Sequence, residues 1–284
     1  MNEVCAAYQP GDILKDTAHE IRDILGDTLE TLTLERIVLG LFFTGVKLSG
    51  GTGGLCFTPI KALPDAVCCP SSARAMPASG KLKGRKAMEF VDEMLSGNPL
   101  KKSMGIAVLN ALSVMCWKER PPVAYSIKTG VDATDEVAIP ADEYVVVVGA
   151  LVPVLRALKQ RNKPFGILEL DPLTLKADEM KYYIPPVLAP EKTPRAGVLI
   201  ITGTTLINDT LEELLRMRKP DARVIVMGPT ASMLPGAFFR HGVGLLGGVI
   251  VTEPDRVLDV IAEGGSGYHF FERGAERVVI RPAY

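Results

Sequence analysis

Uninterrupted apolar runs alternate with helical patterns throughout the second half of the chain. The first run spans residues 144–149, and others follow at residues 165–171, 198–203, 222–229, 245–254 and 278–282. Uninterrupted apolar strands are typical of parallel sheets whose two faces are both covered by helices. We therefore predict a C-terminal, Rossmann-like α/β domain with a mostly parallel sheet over residues 144–284.

The first half has a different order of patterns. Residues 13–25 carry one apolar helical face, and residues 34–60 contain short apolar segments around a glycine cluster, which indicates an antiparallel meander. Two helical patterns follow, and Asn98 is placed to cap the second. These features predict an α+β domain over residues 1–127, with the polar residues 128–143 as a linker.

Composition and charge narrow the class of protein. The 284 residues carry a net charge of −1, so no basic surface points to a nucleic-acid partner. No apolar run reaches the roughly 18–20 residues that span a bilayer, and the acidic start does not match a signal peptide. With five cysteines and no sign of secretion, we predict a cytoplasmic protein with free thiols and no membrane partner.

Polar residues and glycines follow several of the predicted strands. In an open parallel sheet, ligands bind outside the carboxyl ends of the strands, near the point where the strand order reverses. A helix starting near Asp209, with Thr210 and Glu213 as a capping box, would add a field that attracts anions. The predicted ligand-binding residues at these strand ends are Gly203, Thr204, Asn208, Thr210, Gly228, Pro229 and Thr230.

A dinucleotide cofactor is disfavoured by the turn after the first of these strands. Gly149 ends that strand, and Glu169 lies 20 residues later, where a ribose-binding acid would be expected. The turn nevertheless lacks the second and third glycines of the fingerprint, so close approach of a pyrophosphate is hindered. We leave the cofactor unassigned; Glu169 is then predicted either to bind a hydroxyl or an amine or to cap a loop.

Direct metal ligation and nucleophilic catalysis have weak signals. Cys68 and Cys69 are adjacent and lack the spacing with which two thiolates hold one tetrahedral ion. Cys56 and Cys116 lie beside apolar residues, which favours buried thiols. Of the three histidines, His269 on a glycine-rich loop is the strongest functional candidate. No nucleophile elbow is present, and no metal ligand is assigned.

The C-terminal motifs resemble a known family. The runs ITGTTLINDTLEELL, VIVMGPTASMLPGAFFRHGVGLLGGVIVTEPDRVL and GGSG are similar to a bacterial and archaeal family of unknown function labelled "putative heavy-metal chelation". The stretch NPLKKSMGIAVLNAL resembles the domain that precedes it. The resemblance implies an enolase-N-terminal-like domain before the Rossmann-like one, with a site in the cleft between them. The positions that match its motifs are Gly203, Thr204, Asn208, Thr210, Gly228, Pro229, Thr230, Pro235 and, in the N-terminal domain, Asn110.

Three functions are consistent with these patterns. In the first, the interdomain cleft binds a small polar or anionic molecule, such as a heavy-metal chelate or chelator precursor, with Asn110 and Thr58 closing it. In the second, a lyase or transferase of metal trafficking or cofactor metabolism uses Glu169 or His269 as its acid–base residue. In the third, Cys68, Cys69 and a histidine bind metal directly. A structural role with an empty cleft is the alternative to all three, and whether the chain forms a homo-oligomer is left open.

Overall fold

The structure is a computed structural model that describes residues 9–62, 76, 78–271 and 273–283. The helices in this part of the chain are α1 (Asp12–Leu25), α2 (Ala87–Glu93), α3 (Pro99–Glu119), α4 (Ala133–Glu136), α5 (Val152–Arg161), α6 (Ala189–Lys192), α7 (Leu211–Met217), α8 (Gly236–Arg240), α9 (Pro254–Ala262) and α10 (Gly267–Phe270). The strands are β1 (Leu34–Leu39), β2 (Phe43–Leu48), β3 (Gly53–Phe57), β4 (Tyr125–Thr129), β5 (Val145–Val148), β6 (Phe165–Leu168), β7 (Tyr183–Ile184), β8 (Val198–Thr202), β9 (Arg223–Met227), β10 (Leu245–Val251) and β11 (Ala275–Pro282).

All of these strands belong to one mixed sheet. Its main order is β1-β2-β3-β10-β9-β8-β5-β6-β7, with β11 and β4 added beside β10. The six strands from β10 to β7 are parallel, whereas β1, β2 and β3 form an antiparallel meander. The predicted α/β class, the parallel sheet and the N-terminal antiparallel strands are therefore confirmed.

The meander joins the parallel sheet directly. Gly53 of β3 pairs with Val251 of β10, so the two halves of the chain share one sheet. The largest group of buried apolar side chains also contains residues of both halves, from Ile13 to Ile280. The N-terminal and C-terminal patterns therefore meet in a common hydrophobic core.

Helix α3 lies at the centre of this arrangement. Its predicted cap is confirmed, because the Asn98 Oδ1 accepts hydrogen bonds from the backbone N–H groups of Leu100 at 2.9 Å and Lys101 at 3.1 Å. Most of its side chains are buried, including the polar Ser103 and Asn110. A helix buried on several sides needs no polar face, which agrees with its largely apolar sequence.

Three short elements lie wholly or partly in segments whose sequences did not predict them. Residues 128–143, expected as a linker, contain the end of β4 and all of α4. The proline-rich segment after β6 contains β7, which pairs with β6 through Tyr183 and Ile184. Among the described residues, no helix is long and apolar enough to cross a membrane.

Candidate functional site

The strand order reverses between β5 and β8. The chain runs outward from β5 to β6 and β7, then returns to place β8 against the other side of β5. At this switch point Gly149 adopts a φ of +93°, and a Cβ there would lie 2.7 Å from the Thr202 Cγ2. Glycine is therefore required for the turn and for the close approach of the two strand ends.

A cavity of about 290 Å³ opens at the switch point, beneath α7. We call it the switch-point cavity. It contains four of the predicted site residues: Glu169, Thr204, Asn208 and Thr210. The other lining residues are Val148, Gly149, Leu168, Leu170, Pro186, Val187, Ala189, Pro190, Thr202, Thr205, Glu213, Leu214 and Met217. Strand ends at residues 148, 168 and 202 thus converge as the positional rule predicted.

The loop between β8 and α7 is held by its own polar side chains. The Asn208 Oδ1 accepts hydrogen bonds from the Thr210 hydroxyl at 2.7 Å and from the Thr210 N–H at 3.3 Å. The hydroxyls of Thr202 and Thr204 lie 3.1 Å apart. The Asn208 Nδ2 has no protein partner among the described residues, so it is available to donate to a ligand.

The start of α7 differs from the prediction. The helix begins at Leu211, and Thr210 occupies the capping position without a side-chain cap bond, so the predicted capping box is wrong. Asp209 has a φ of +60°, and its carboxylate pairs with the Lys102 ammonium instead of capping the helix. The Thr210 hydroxyl, which a capping box would need, instead donates a hydrogen bond to the Asn208 Oδ1.

The charge of the cavity wall is negative. Glu169 and Glu213 line it, and no lysine or arginine is found among the described lining residues. The Glu169 Oε1 accepts a hydrogen bond from the Asp171 N–H at 3.1 Å, which orients this carboxylate. The Lys61 ammonium, 2.6 Å from Asp171, lowers the pKa of the Asp171 carboxyl at the cavity edge. These carboxylates oppose the expected attraction of an anion to the start of α7, and the wall favours a cation or a neutral hydrogen-bond donor.

Four other predicted residues are buried away from this cavity. The Asn110 Nδ2 donates to the Leu55 carbonyl at 2.6 Å and to the Thr230 carbonyl at 3.1 Å. The Thr230 hydroxyl accepts from the Phe57 N–H at 3.1 Å. Thr58 shares a hydroxyl contact with Thr44 at 3.0 Å, and Gly203 packs against Ala231. These residues join the two halves of the chain to each other and do not belong to the lining of the switch-point cavity, so the cleft closed by Asn110 and Thr58 stays a prediction.

The last predicted residues lie near a second cavity. Gly228 and Pro229, at the end of β9, line this cavity on the face of the sheet that α4 and α5 cover. His269 is exposed and lines neither cavity. Its Nδ1 lies 3.0 Å from the Ser266 N–H and accepts from it, so the ring caps the helix that contains it. His269 therefore stabilises the start of α10.

The described residues do not offer a thiolate metal site. They contain no group of three or more histidine, cysteine or acidic side chains placed to hold a metal ion. Burial raises the pKa of the Cys56 thiol and of the Cys116 thiol to about 12. Both are therefore protonated at neutral pH and do not act as soft ligands. Cys68 and Cys69, predicted as direct ligands in one hypothesis, lie outside the described residues.

These pKa values give a first testable prediction. In the native protein at pH 8, iodoacetamide is expected to leave Cys56 and Cys116 unmodified, because the thiolate is the reacting form. In concentrated urea both should be alkylated within minutes. Peptide mass spectrometry after digestion reads each cysteine separately. Alkylation of Cys56 at the same rate in the native and unfolded protein would contradict the buried thiol.

Two solved structures share this fold over nearly its whole length. A protein of unknown function from Pyrococcus horikoshii, of the DUF364 family, is 21% identical and superposes with a TM-score of 0.73, covering 95% of this chain and 99% of that one. A DUF364 protein from Desulfitobacterium hafniense is 19% identical, with a TM-score of 0.66 over 95% of this chain and 98% of the other. At these identities the likeness shows the fold.

Sequence comparison identifies the family. An uncharacterized protein of Methanocaldococcus jannaschii is 27% identical over 176 residues, which cover 60% of this chain and 62% of that relative's length. Two family models match residues 22–113 and residues 132–280, and both carry the description "Putative heavy-metal chelation". The second match alone spans more than half of the chain, and the resemblance seen in the sequence motifs is confirmed. The chain therefore belongs to the DUF364 family, described as "Putative heavy-metal chelation", with the companion DUF4213 region before it.

Proposed function

We propose that the switch-point cavity binds a small, amine-bearing metal chelate or the chelator precursor from which it forms. The observation that carries this proposal is the cavity wall, which combines Glu169 and Glu213 with hydroxyl and amide groups and contains no basic residue in its described part. A cationic molecule with N–H donors matches such a wall. The family description supports a ligand related to heavy metals.

The donor set favours a chelate over a bare heavy-metal ion. The polar groups of the wall are carboxylate, hydroxyl and amide oxygens, whereas soft metals prefer thiolate and thioether ligands. A chelator brings nitrogen ligands of its own and presents N–H groups outward. Glu169 would accept these hydrogen bonds, and the Asn208 Nδ2 would donate to an oxygen of the ligand.

The remaining wall is suited to the carbon skeleton of such a molecule. Leu168, Leu214 and Met217 provide an apolar surface, and Val187, 81% exposed, stands at the mouth. A volume of about 290 Å³ lies at the small end of ligand cavities, which limits the ligand to the size of a modified amino acid or a small chelate.

An enzyme acting on the same molecule is the second candidate. Of the two predicted acid–base residues, Glu169 lines the cavity and His269 does not. The Asp171 N–H orients the Glu169 carboxylate. If a Glu169→Gln variant still binds the chelator but no longer converts it, as measured by mass spectrometry of the product, catalysis by Glu169 would be established.

We also retain, as a proposal, the division into an enolase-N-terminal-like region (1–127) and a Rossmann-like region (144–284).

Calorimetry with chelates of opposite charge tests the proposal. The probes are Ni²⁺ alone, ethylenediamine alone, the cationic nickel–ethylenediamine complex and the anionic nickel–citrate complex. The cationic complex is expected to bind, and Asn208→Ala and Glu169→Gln should each weaken that binding about five- to tenfold, the value of one hydrogen bond to a ligand.

Glu263→Gln is the matched control, because it removes an exposed carboxylate at the end of α9 without touching the cavity. Its affinity should equal that of the wild-type protein. Failure of the cationic complex to bind below about 1 mM, preference for the citrate complex, or equal affinity in all three variants would each refute the proposal.

A further inference from the structure

The second cavity lies on the opposite face of the sheet from the switch-point cavity. It has a volume of about 270 Å³ and is bounded by the starts of α4 and α5, the end of β9, the middle of β10, and helix α10. Its residues share no member with the lining of the switch-point cavity. We call it the α10 cavity.

Aromatic side chains form one side of the α10 cavity. Phe43, Tyr268 and Phe271 line it, and Tyr268 is 72% exposed. The aliphatic Leu151 and Val154 also line the cavity. Gly228, another lining residue, has a φ of +121°, which only glycine adopts readily, and it adds no side chain to the lining. Aromatic rings together with aliphatic groups suit a flat, apolar body.

One arginine gives the α10 cavity a fixed positive group. The Arg277 guanidinium lies 3.8 Å from the centre of the Phe271 ring. Its Nε is 3.0 Å from an Asp132 oxygen, and the other Asp132 oxygen accepts from the Thr134 N–H at 2.8 Å. Stacking and pairing therefore hold the guanidinium plane in place.

This arginine still has hydrogen-bonding capacity. Its pairing with Asp132 uses Nε, and among the described residues neither Nη atom has a hydrogen-bond partner. Asp132 and Arg277 are the two charged residues of the described lining, and they neutralise each other, so no uncompensated carboxylate repels an anion. Guanidinium Nη groups bind the paired oxygens of carboxylate, phosphate and sulfonate groups.

We propose that the α10 cavity is a second ligand site, which takes a flat aromatic molecule bearing an anionic group. The ring of the ligand packs against the aromatic and aliphatic side chains of the lining, and its anionic oxygens bind the Nη groups of Arg277. This ligand has the opposite charge to the one proposed for the switch-point cavity, where the carboxylates of Glu169 and Glu213 would repel it.

Two fluorescent probes that differ in one charged group test the proposal. They are 8-anilinonaphthalene-1-sulfonate and N-phenyl-1-naphthylamine, which lacks the sulfonate. Both are expected to bind the wild-type protein saturably at one site. Arg277→Met should weaken the sulfonate probe about tenfold and the neutral probe less than about twofold, because only the sulfonate pairs with the guanidinium. Tyr268→Ala should weaken both probes, because both stack their rings against the aromatic wall.

Two control variants show whether the probes bind in the α10 cavity itself. Arg273→Met removes an exposed arginine that does not line the α10 cavity. Val187→Asp alters the lining of the switch-point cavity. Neither variant should change the affinity of the sulfonate probe. Urea unfolding midpoints of all variants verify that they remain folded.

Three results would each overturn the proposal. The first is that neither probe binds saturably, and the second is that Arg277→Met lowers the affinity of both probes equally. The third is that Val187→Asp lowers the affinity of the sulfonate probe as much as Arg277→Met does. The result is independent of the nickel chelate experiment, because the two sets of variants do not overlap.

Discussion

Gly54→Ala is expected to lower the free energy of unfolding by about 3 kcal/mol or more, at the upper end of the cost of overpacking a core. A Cβ at this position of β3 would lie 2.1 Å from the Ala107 carbonyl oxygen and 2.6 Å from the Ala111 nitrogen. Both atoms belong to the backbone of α3, so neither can rotate away. The helix would have to move off the sheet, which would open the core that the two halves share.

Urea unfolding followed by circular dichroism measures this effect, with Gly50→Ala as the matched control. A Cβ at Gly50 would approach the Met115 Cε at 3.1 Å, and that atom is the end of a flexible side chain. We expect Gly50→Ala to change the free energy of unfolding by no more than about 1 kcal/mol. Equal midpoints for the two variants would show that α3 does not rest on the β3 backbone.

Asn110→Ala is expected to destabilise the protein by about 3 kcal/mol, because it removes the buried side-chain donor that the Leu55 and Thr230 carbonyls share. The Asn110 side chain is 2% exposed, and its Nδ2 approaches the carbonyls of Leu55, Pro229 and Thr230 at 2.6, 3.2 and 3.1 Å. These acceptors lie in both halves of the chain. The amide thus joins β3 to the turn after β9.

Asn98→Ala provides the comparison, since it removes the same type of side chain from a partly exposed helix cap and should cost about 1 kcal/mol. Urea midpoints and slopes give both values. A variant Asn110→Ala that keeps wild-type stability but loses ligand affinity would instead support the sequence-based prediction of Asn110 as a binding residue.

The parallel strands were predictable because burial on both faces leaves a clear mark on the sequence. Val145–Val148 contains only valine, and the structure places that run in β5, with neighbours β6 and β8. The cap at Asn98 was predictable for a local reason, since its bonds reach only two and three residues along the chain.

Strands β4 and β7 have no comparable apolar run in the sequence. β4 is mostly exposed and polar, and it exists because β11 offers hydrogen bonds to it from a distant part of the chain. β7 has two residues, too few for any periodicity. Pairing over long sequence distances decides both elements, and a local pattern does not carry that information.

The candidate site was predictable as a location and only partly as a list of residues. The ends of adjacent parallel strands must meet, which brought Glu169, Thr204 and Asn208 together. The sequence pattern predicts Glu213 in a helix cap, whereas its side chain lines the cavity. Thr230 has the same kind of strand-end position, but the packing of β3 buries it. The N-terminal half packs over some of the polar strand ends and leaves others open to a ligand. A local sequence pattern does not show which ends are covered.

The shared core also determines how ligands enter. A hinge motion between the halves would break the Gly53–Val251 pairing and the Asn110 hydrogen bonds, and it would expose the buried flank of α3 to water. A rigid-body opening between the halves would therefore carry the cost of these lost contacts. Each cavity has an exposed side chain in its lining, Val187 in one and Tyr268 in the other, and exposed side chains change rotamer within picoseconds to nanoseconds.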